Sequence, residues 1–179
     1  MLLTQIPPRS LPYLVTHLRP ISTAPLHPLP PFTAETAHQK VKAAQDKWNT
    51  KSPKLVAPAY TPDSIWRNRD QFFTGTKAIE EFLTRKWEKE RNYRLRKELF
   101  AFERDRIAVE FWYEHSASDF GGQWYRTYGL EHWVFAEDGR MKSRQMSGHT
   151  IEIQESERWF RDGVDVNAGE VPKGHISLK

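Results

Sequence analysis

Apolar residues recur at Ala37, Val41, Ala44 and Trp48, three or four positions apart, a spacing that predicts a helix over roughly 34–50 with one buried face. Thr33 stands where an N-cap is needed, and Pro53 lies just past the end. A shorter helical piece is expected from Lys54 to Tyr60, limited by Pro58 and Pro62. Ser64 to Arg69 reads as a strand, since Ile65 and Trp66 favour extended backbone and Pro62 disfavours a helix before it. Ile79, Phe82, Leu83 and Trp87 form a second helical stripe, so Thr76 to Glu90 is predicted as a helix that begins at Gly75-Thr76. After Tyr93 the period falls to two. Strands are expected at about 93–102, 106–116, 123–136 and 140–153, joined near Glu103-Arg-Asp-Arg106, Asp119-Phe-Gly-Gly122 and Glu137-Asp-Gly-Arg140. The Asp138-Gly139 step is the strongest hairpin signal of the three. Helices followed by four long hairpin-linked strands make an α+β order, with strands long enough to curl over the helices.

Composition narrows the class. The 179 residues suit one well-buried domain, and no apolar run approaches the roughly 20 residues of a spanning helix, so no membrane insertion is expected. There is no cysteine, which excludes disulfides, thiol catalysis and thiolate metal sites. Residues 1–34 hold eight of the twelve prolines and no acid, a composition that cannot pack a core. The domain is therefore expected at 33–155, between a disordered Pro-rich extension at 1–32 and an irregular tail at 156–179 that Trp159 and Phe160 would pack if anything does. Arg9 and Arg19 with no acids fit a mitochondrial transit peptide, while the prolines fit an inert extension. A cytoplasmic protein is the expectation, or a mitochondrial one if the extension targets it.

The net charge of +4 raises nucleic acid as a partner, and seven basic residues lie between Arg85 and Lys97. Glu88, Glu90 and Glu98 are mixed among them, which makes a solvated face and not a phosphate track, so no nucleic acid is expected. Histidines 115, 132, 149 and 175 lack metal-ligand spacing, and no phosphate loop, nucleophile elbow or dinucleotide fingerprint occurs. No metal and no cofactor is implied.

Tyr60-Thr-Pro-Asp-Ser-Ile-Trp-Arg-Asn68, Gly75-Thr-Lys-Ala-Ile79, Glu131-His-Trp-Val-Phe135 and Asp138-Gly-Arg-Met141 together resemble the nuclear transport factor two-like superfamily. This is the cone-shaped fold of SnoaL-type polyketide cyclases, ketosteroid isomerases, scytalone dehydratase and limonene epoxide hydrolase. Trp66-Arg-Asn-Arg69, Phe82-Leu-Thr-Arg-Lys-Trp87 and Trp124-Tyr-Arg-Thr-Tyr-Gly129 look like an uncharacterised SnoaL-like subfamily of bacteria and fungi. The resemblance implies a curved antiparallel sheet wrapped around N-terminal helices, a small-molecule pocket inside the cone, and pairing into homodimers.

Relatives that act on enolisable ketones place an acidic base on the first strand and a second acid on a later one. By motif these positions fall on Asn68 and Glu131, and Asn68 can hydrogen-bond a carbonyl but cannot abstract a proton. Alternation then selects the wall: Trp66 with Asn68, and Thr127, Gly129 and Trp133 with Glu131. The resemblance puts Lys142, Arg144 and Met146 inside on the last strand, with Val109, Phe111 and Tyr113 between and Tyr60 at the mouth. Glu131, Arg144 and Asn68 are the candidate catalytic residues, with Glu131 as acid or base, Arg144 orienting it and Asn68 polarising the substrate; the bland reading is a buried Glu131–Arg144 ion pair. Arg67 faces away from Asn68, toward a surface or dimer ion pair. The implied function is a cofactor-independent isomerase, lyase or hydrolase for a small, largely apolar metabolite; the alternative is a non-catalytic binding or dimeric interaction module. Trp124, Tyr128, Leu130 and His132 are expected to form an exposed apolar outer face where two copies meet.

Overall fold

The structure is a computed structural model and describes residues 24–119 and 121–172. Helix α1 spans Ala34–Asn49 and α2 Pro53–Val56, followed by a 3-10 turn at Ala57–Ala59; α3 spans Thr76–Lys89. Strands β1 (Tyr60–Asn68), β2 (Gln71–Thr74), β3 (Arg91–Glu103), β4 (Arg106–Ser118), β5 (Gly121–Phe135) and β6 (Met141–Ile153) form one sheet in the order β2-β1-β6-β5-β4-β3. Helices α1 and α2 precede the curved sheet and α3 follows its first two strands, which is the α+β cone architecture. No helix among the described residues is long and apolar enough to cross a membrane.

Three features depart from the pattern-based expectation. The sheet is mixed: β1 runs parallel to β6, a pairing that needs a long crossover, here supplied by everything from β2 to β5. Strand β1 begins at Tyr60 and not at Ser64, because a register shift between Tyr60 and Ile65 accommodates Pro62 outside the regular ladder. Strand β2 follows a tight turn in which Arg69 takes a φ of 59°, a conformation that usually announces itself with Gly or Asn.

Helix α1 opens with reciprocal capping: Thr33 N donates to Thr36 Oγ1 at 2.8 Å and Thr36 N to Thr33 Oγ1 at 3.3 Å. Its inward face does two jobs. Ala37, Val41 and Trp48 enter the core, while two amides from the same helix satisfy the free edge of β3. Asn49 Nδ2 donates to Leu95 O and Leu95 N donates to Asn49 Oδ1, both at 2.8 Å, and Lys97 N donates to Gln45 Oε1 at 2.8 Å. These side chains act as a substitute strand, taking up the N–H and C=O of Leu95 and the N–H of Lys97 on that edge. Helix α3 buries Ile79, Phe82, Leu83 and Trp87, each side chain of this size contributing roughly 1.5–3 kcal/mol.

Ordered packing starts before residue 33. Leu26 N donates to Asp138 O and Phe32 N to Arg104 O, both at 2.7 Å, and Lys40 Nζ donates to Leu26 O (2.8 Å) and Pro28 O (3.0 Å). Phe32 packs edge-on against Phe135 at 5.0 Å, so residues 24–32 form a strap over the end of the cone. The remainder of the Pro-rich extension, with most of the proposed transit peptide, lies outside the described residues.

The tail is likewise part of the body. Residues 154–172 wrap from the sheet face opposite the helices, where Trp112, Phe160 and Val171 form a second core with Tyr128, Trp159 and Val166, round the β3 edge to α1, where Gln45 Nε2 donates to Asn167 Oδ1 at 3.0 Å. Glu114 anchors it, accepting from Arg126 Nε at 2.8 Å and from the backbone N–H groups of Trp159 (2.9 Å) and Phe160 (3.1 Å). Arg158 lies 3.6 Å over Trp124, and Arg126 the same distance over Trp159. The expected exposed aromatic face is therefore only partly there: the chain's own tail covers Trp124 and Tyr128, while Leu130 and His132 remain exposed.

Gly129 is required by the core. A Cβ there would sit 1.9 Å from Cζ of buried Phe111, whose ring lies across the glycine. Gly129→Ala should destabilise the fold by about 1–3 kcal/mol through overpacking, read as a lower urea midpoint, and Phe111→Leu in the same chain should recover part of the loss. The strap gives a second expectation: Phe32→Ala should cost about 3–5 kcal/mol, measured in the same way, if it belongs to the core as its 6% exposure indicates.

Candidate functional site

Strand alternation delivers side chains from five strands to one point inside the cone. On β5, Thr127, Glu131 and Trp133 face the helices; on β1, Trp66 and Asn68; on β4, Val109, Phe111 and Tyr113; on β3, Tyr93, Leu95 and Lys97. Register completes the arrangement, with Glu131 beside Met146, Trp133 beside Arg144, and Lys97 beside Phe111. Arg144 and Met146 face inward on β6. Lys142 does not: a register shift between Val134 and Phe135 gives the inner position to Met141, and Lys142 is exposed, 3.5 Å from Asp105.

At the centre is the Glu131 carboxylate, 2% exposed. Its Oε1 accepts from Arg144 at 2.5 Å, and its Oε2 accepts from Lys97 Nζ and from Trp133 Nε1, each at 2.7 Å. Arg144 also donates to Asn68 Oδ1 at 3.2 Å. Both cations rest on aromatic faces: Arg144 lies 4.4 Å from Trp66 and 4.9 Å from Trp48, and Lys97 4.7 Å from Phe111, 5.3 Å from Trp133 and 5.6 Å from Trp48. Glu131, Arg144 and Asn68 thus converge, together with Lys97.

Electrostatics separate the roles. Burial pushes Glu131 upward, but Arg144 and Lys97 together outweigh it and hold the carboxyl at about 2. With both oxygens occupied and so low a pKa, Glu131 is a poor proton carrier. Burial pushes Lys97 down to about 8 against the pull of Glu131, with Arg144 reinforcing the fall. Tyr60 is pushed up to about 12 by burial, with Arg144 opposing. Two cations therefore share one carboxylate, leaving an excess positive charge in a nearly dry site.

Beside Glu131 is a cavity of about 10 Å³, room for one water at most, lined by Asn68, Phe111, Tyr113, Arg144 and Met146 from the sequence-based set and by Trp48, Lys86, Tyr93, Leu95 and Lys97. Val109 and Thr127 do not reach it, and the Thr127 hydroxyl instead pairs with Thr150 at 2.7 Å. Trp66 underlies Arg144. Tyr60 is not at a mouth: it is 4% exposed, its ring 4.8 Å from that of Trp66, because β1 starts early and carries it into the core. Tyr60 and Trp133 line a separate, mostly apolar cavity of about 90 Å³ with Leu26, Lys40, Phe135 and Met141, under the strap. At the other end, Lys86 pairs with Glu90 and lies 4.3 Å from the ring centre of Tyr113.

Lys97 and Trp48 are the chamber residues that pattern reading passes over. Lys97 sits in the inward parity of Tyr93 and Leu95, a charge among apolar positions, but it was masked by the basic run around it. Trp48 reads as ordinary helix core, and nothing local shows that its ring meets both cations.

A family model described as "Protein of unknown function (DUF1348)" matches residues 30–161. A search of curated proteins finds no match. Among solved structures, the epoxide hydrolase/cyclase-like enzyme SalBIII, with a role in pyran ring formation in the polyether salinomycin, aligns with a TM-score of 0.56 at 12% identity over 64% of this chain and 92% of its own. The BvnE pinacolase from Penicillium brevicompactum aligns at 0.55 and 13% identity over 64% and 86%. A ketosteroid isomerase-like protein from Catenulispora acidiphila, in complex with trimethylamine, aligns at 0.54 and 14% identity over 61% and 84%. These similarities establish the cone fold.

Glu131→Gln should destabilise the protein by roughly 3–5 kcal/mol, since it leaves two buried cations without their counter-charge; adding Lys97→Met should restore part of it. The pH dependence follows from the lowered carboxyl: the stability Glu131 contributes is fully present above its ordinary 4.5 and is lost as pH falls through about 2. Lys97 works oppositely, since its protonated form is penalised below about 8 and the penalty is relieved as pH rises from there to 10.5. Urea midpoints of both variants and the parent from pH 2 to 10 check all three expectations.

Proposed function

The chain belongs to the DUF1348 family, within the nuclear transport factor two-like superfamily, and on that premise we propose that it is a cofactor-independent isomerase, lyase or hydrolase acting on a small, largely apolar metabolite. The observation that carries this reading is the buried cluster of Lys97, Arg144 and Glu131 in an aromatic chamber, with positive charge in excess. A scaffold gains little from such a cluster, because apolar residues of similar volume would stabilise a core as well or better. Arg144 polarises a substrate oxygen and stabilises negative charge that develops on it. Glu131 holds Arg144 and Lys97 in place, Asn68 fixes the second arm of the guanidinium, and Lys97 exchanges the proton near neutral pH. Phe111, Tyr113, Trp66 and Met146 supply the apolar wall. Substrate enters by displacing Met146 and the Lys86–Glu90 pair, the adaptable side chains at the edge of the chamber.

The interaction-module reading has its own support in the 10 Å³ cavity and in Asn68 where ketone-isomerising relatives carry an acid. Under it, a second copy seats on the outer-face residues that the tail leaves open, Ile65, Phe72 and Leu130, which are 61%, 75% and 58% exposed. Homodimerisation through this face is part of both readings. Light scattering at tens of micromolar should give a dimer mass, reduced to monomer by Phe72→Glu with Leu130→Glu.

Native mass spectrometry of the purified protein, followed by turnover assays on the retained metabolite and its carbonyl and epoxide analogues, separates the two. The enzyme reading expects turnover that rises between pH 6 and 9 with an apparent pKa near 8, and a loss of about 10²–10⁴-fold in Lys97→Met. No retained metabolite and no turnover by a well-folded dimer would leave the interaction module as the better account.

A further inference from the structure

Among the described residues, Lys97 is the one fully buried amine that touches the candidate chamber, and its surroundings do more than neutralise it. Among the contacts described, its Nζ makes one hydrogen bond, to Glu131, and otherwise meets the faces of Phe111, Trp133 and Trp48. An ammonium with three protons is under-bonded there, whereas an amine or a protonated imine, each keeping an N–H for Glu131, fits. Lys40 is also buried and is likewise lowered to about 8 by burial, but its ammonium donates to two backbone carbonyls, Leu26 O and Pro28 O, and lines the cavity under the strap and not the chamber. The charged and titratable groups around Lys97 are Glu131 on β5, Arg144 on β6, Tyr93 on β3, Tyr113 on β4, and Lys86 with Glu90 on α3 and its end. Two of them are fixed cations that disfavour a third.

We propose that Lys97 is a nucleophile that forms an imine with the carbonyl group of a small apolar aldehyde or ketone. The proposal rests on the chamber reading above and narrows its substrate to the carbonyl class. The Nζ lone pair adds to the carbonyl carbon as the C=O π pair moves to oxygen, which is beside Arg144. Protonation of that oxygen and loss of the nitrogen proton give a carbinolamine. Its C–O bond then breaks, water departs, and a C=N bond to Lys97 remains; the sum is carbonyl plus amine giving imine plus water, with no oxidant or reductant. The resulting iminium lies over the same aromatic faces that now hold the ammonium. A desolvated lysine near other cations is the setting in which amines become reactive, and burial lowers this one from 10.5 to about 8, which makes its free-amine fraction at pH 7 roughly 300-fold that of an exposed lysine.

The test uses the full chain and cyclopentanone as the probe. Protein is incubated with the ketone between pH 6 and 8.5, reduced with borohydride, and mapped by peptide mass spectrometry, with thermal shift recorded before reduction. The expected result is a reduced adduct on Lys97 that saturates first and increases with pH, while exposed Lys42 and Lys54 react little. Lys97→Arg, which keeps the charge, should lose the adduct and retain its circular dichroism. Adducts confined to exposed lysines or to Lys40, or equal labelling in Lys97→Arg, overturn the proposal. If no Lys97 adduct forms but cyclopentanone still raises the melting temperature of the parent and not of a chamber-filling Met146→Trp variant, the imine is wrong and the chamber reading stands. Absence of both adduct and shift overturns the two together.

Discussion

One carboxylate shared between two cations organises the interior of this protein. Glu131 on β5 receives Lys97 from β3 and Arg144 from β6, and Arg144 passes the connection to Asn68 on β1. The Lys97–Glu131 contact thereby ties β3 to β5 across β4, strands that share no ladder, while the two Arg144 contacts reinforce neighbouring strands. Each ion would cost several kcal/mol if buried alone. Their mutual contacts and the faces of Trp48, Trp66, Phe111 and Trp133 offset that cost, so the aromatic cage and the charge cluster require one another.

A second buried carboxylate on the opposite face provides the contrast. Glu114 is fully buried too, but it meets one arginine and two backbone N–H groups, so its single charge is balanced once and its remaining lone pairs are filled by the tail. That is the chemistry of a fastener. Glu131 is over-matched in charge and sits against a small void. The two glutamates share burial and differ in balance, which separates a structural role from a candidate chemical one.

The ends of the described chain matter more than their composition implies. The strap closes the base of the cone by backbone hydrogen bonds and by Lys40, and the tail covers the outer tryptophans by stacked arginines. Both combine a few apolar anchors, Phe32 in the strap and Phe160 and Val171 in the tail, with polar groups that fix the backbone between them. Proline density or irregularity in a segment is therefore no guide to whether it packs when its backbone groups find fixed partners.

The family resemblance supplied the inward side of Asn68, Glu131 and Phe111; local pattern determined the helices over Trp48 and Trp87, the four long strands and the alternation that sets Trp66 with Asn68. Such features depend on periodicities of 3.6 and 2, which neighbouring residues express. Tertiary structure decided what periodicity does not encode. The parallel β1–β6 pairing joins segments some 80 residues apart, and the shift that turns Lys142 outward is a register fact of the β5–β6 hairpin that alternation does not encode. The short strand β2 arose from a turn geometry at Arg69 with no residue signature. Burial of Tyr60 followed from where β1 begins. The identity of Lys97 as a chamber residue required knowing that its one charged partner is Glu131, across the sheet and 34 positions along the chain. A charge run is legible in sequence; which of its members is desolvated depends on what packs above it, and only the folded cone supplies that.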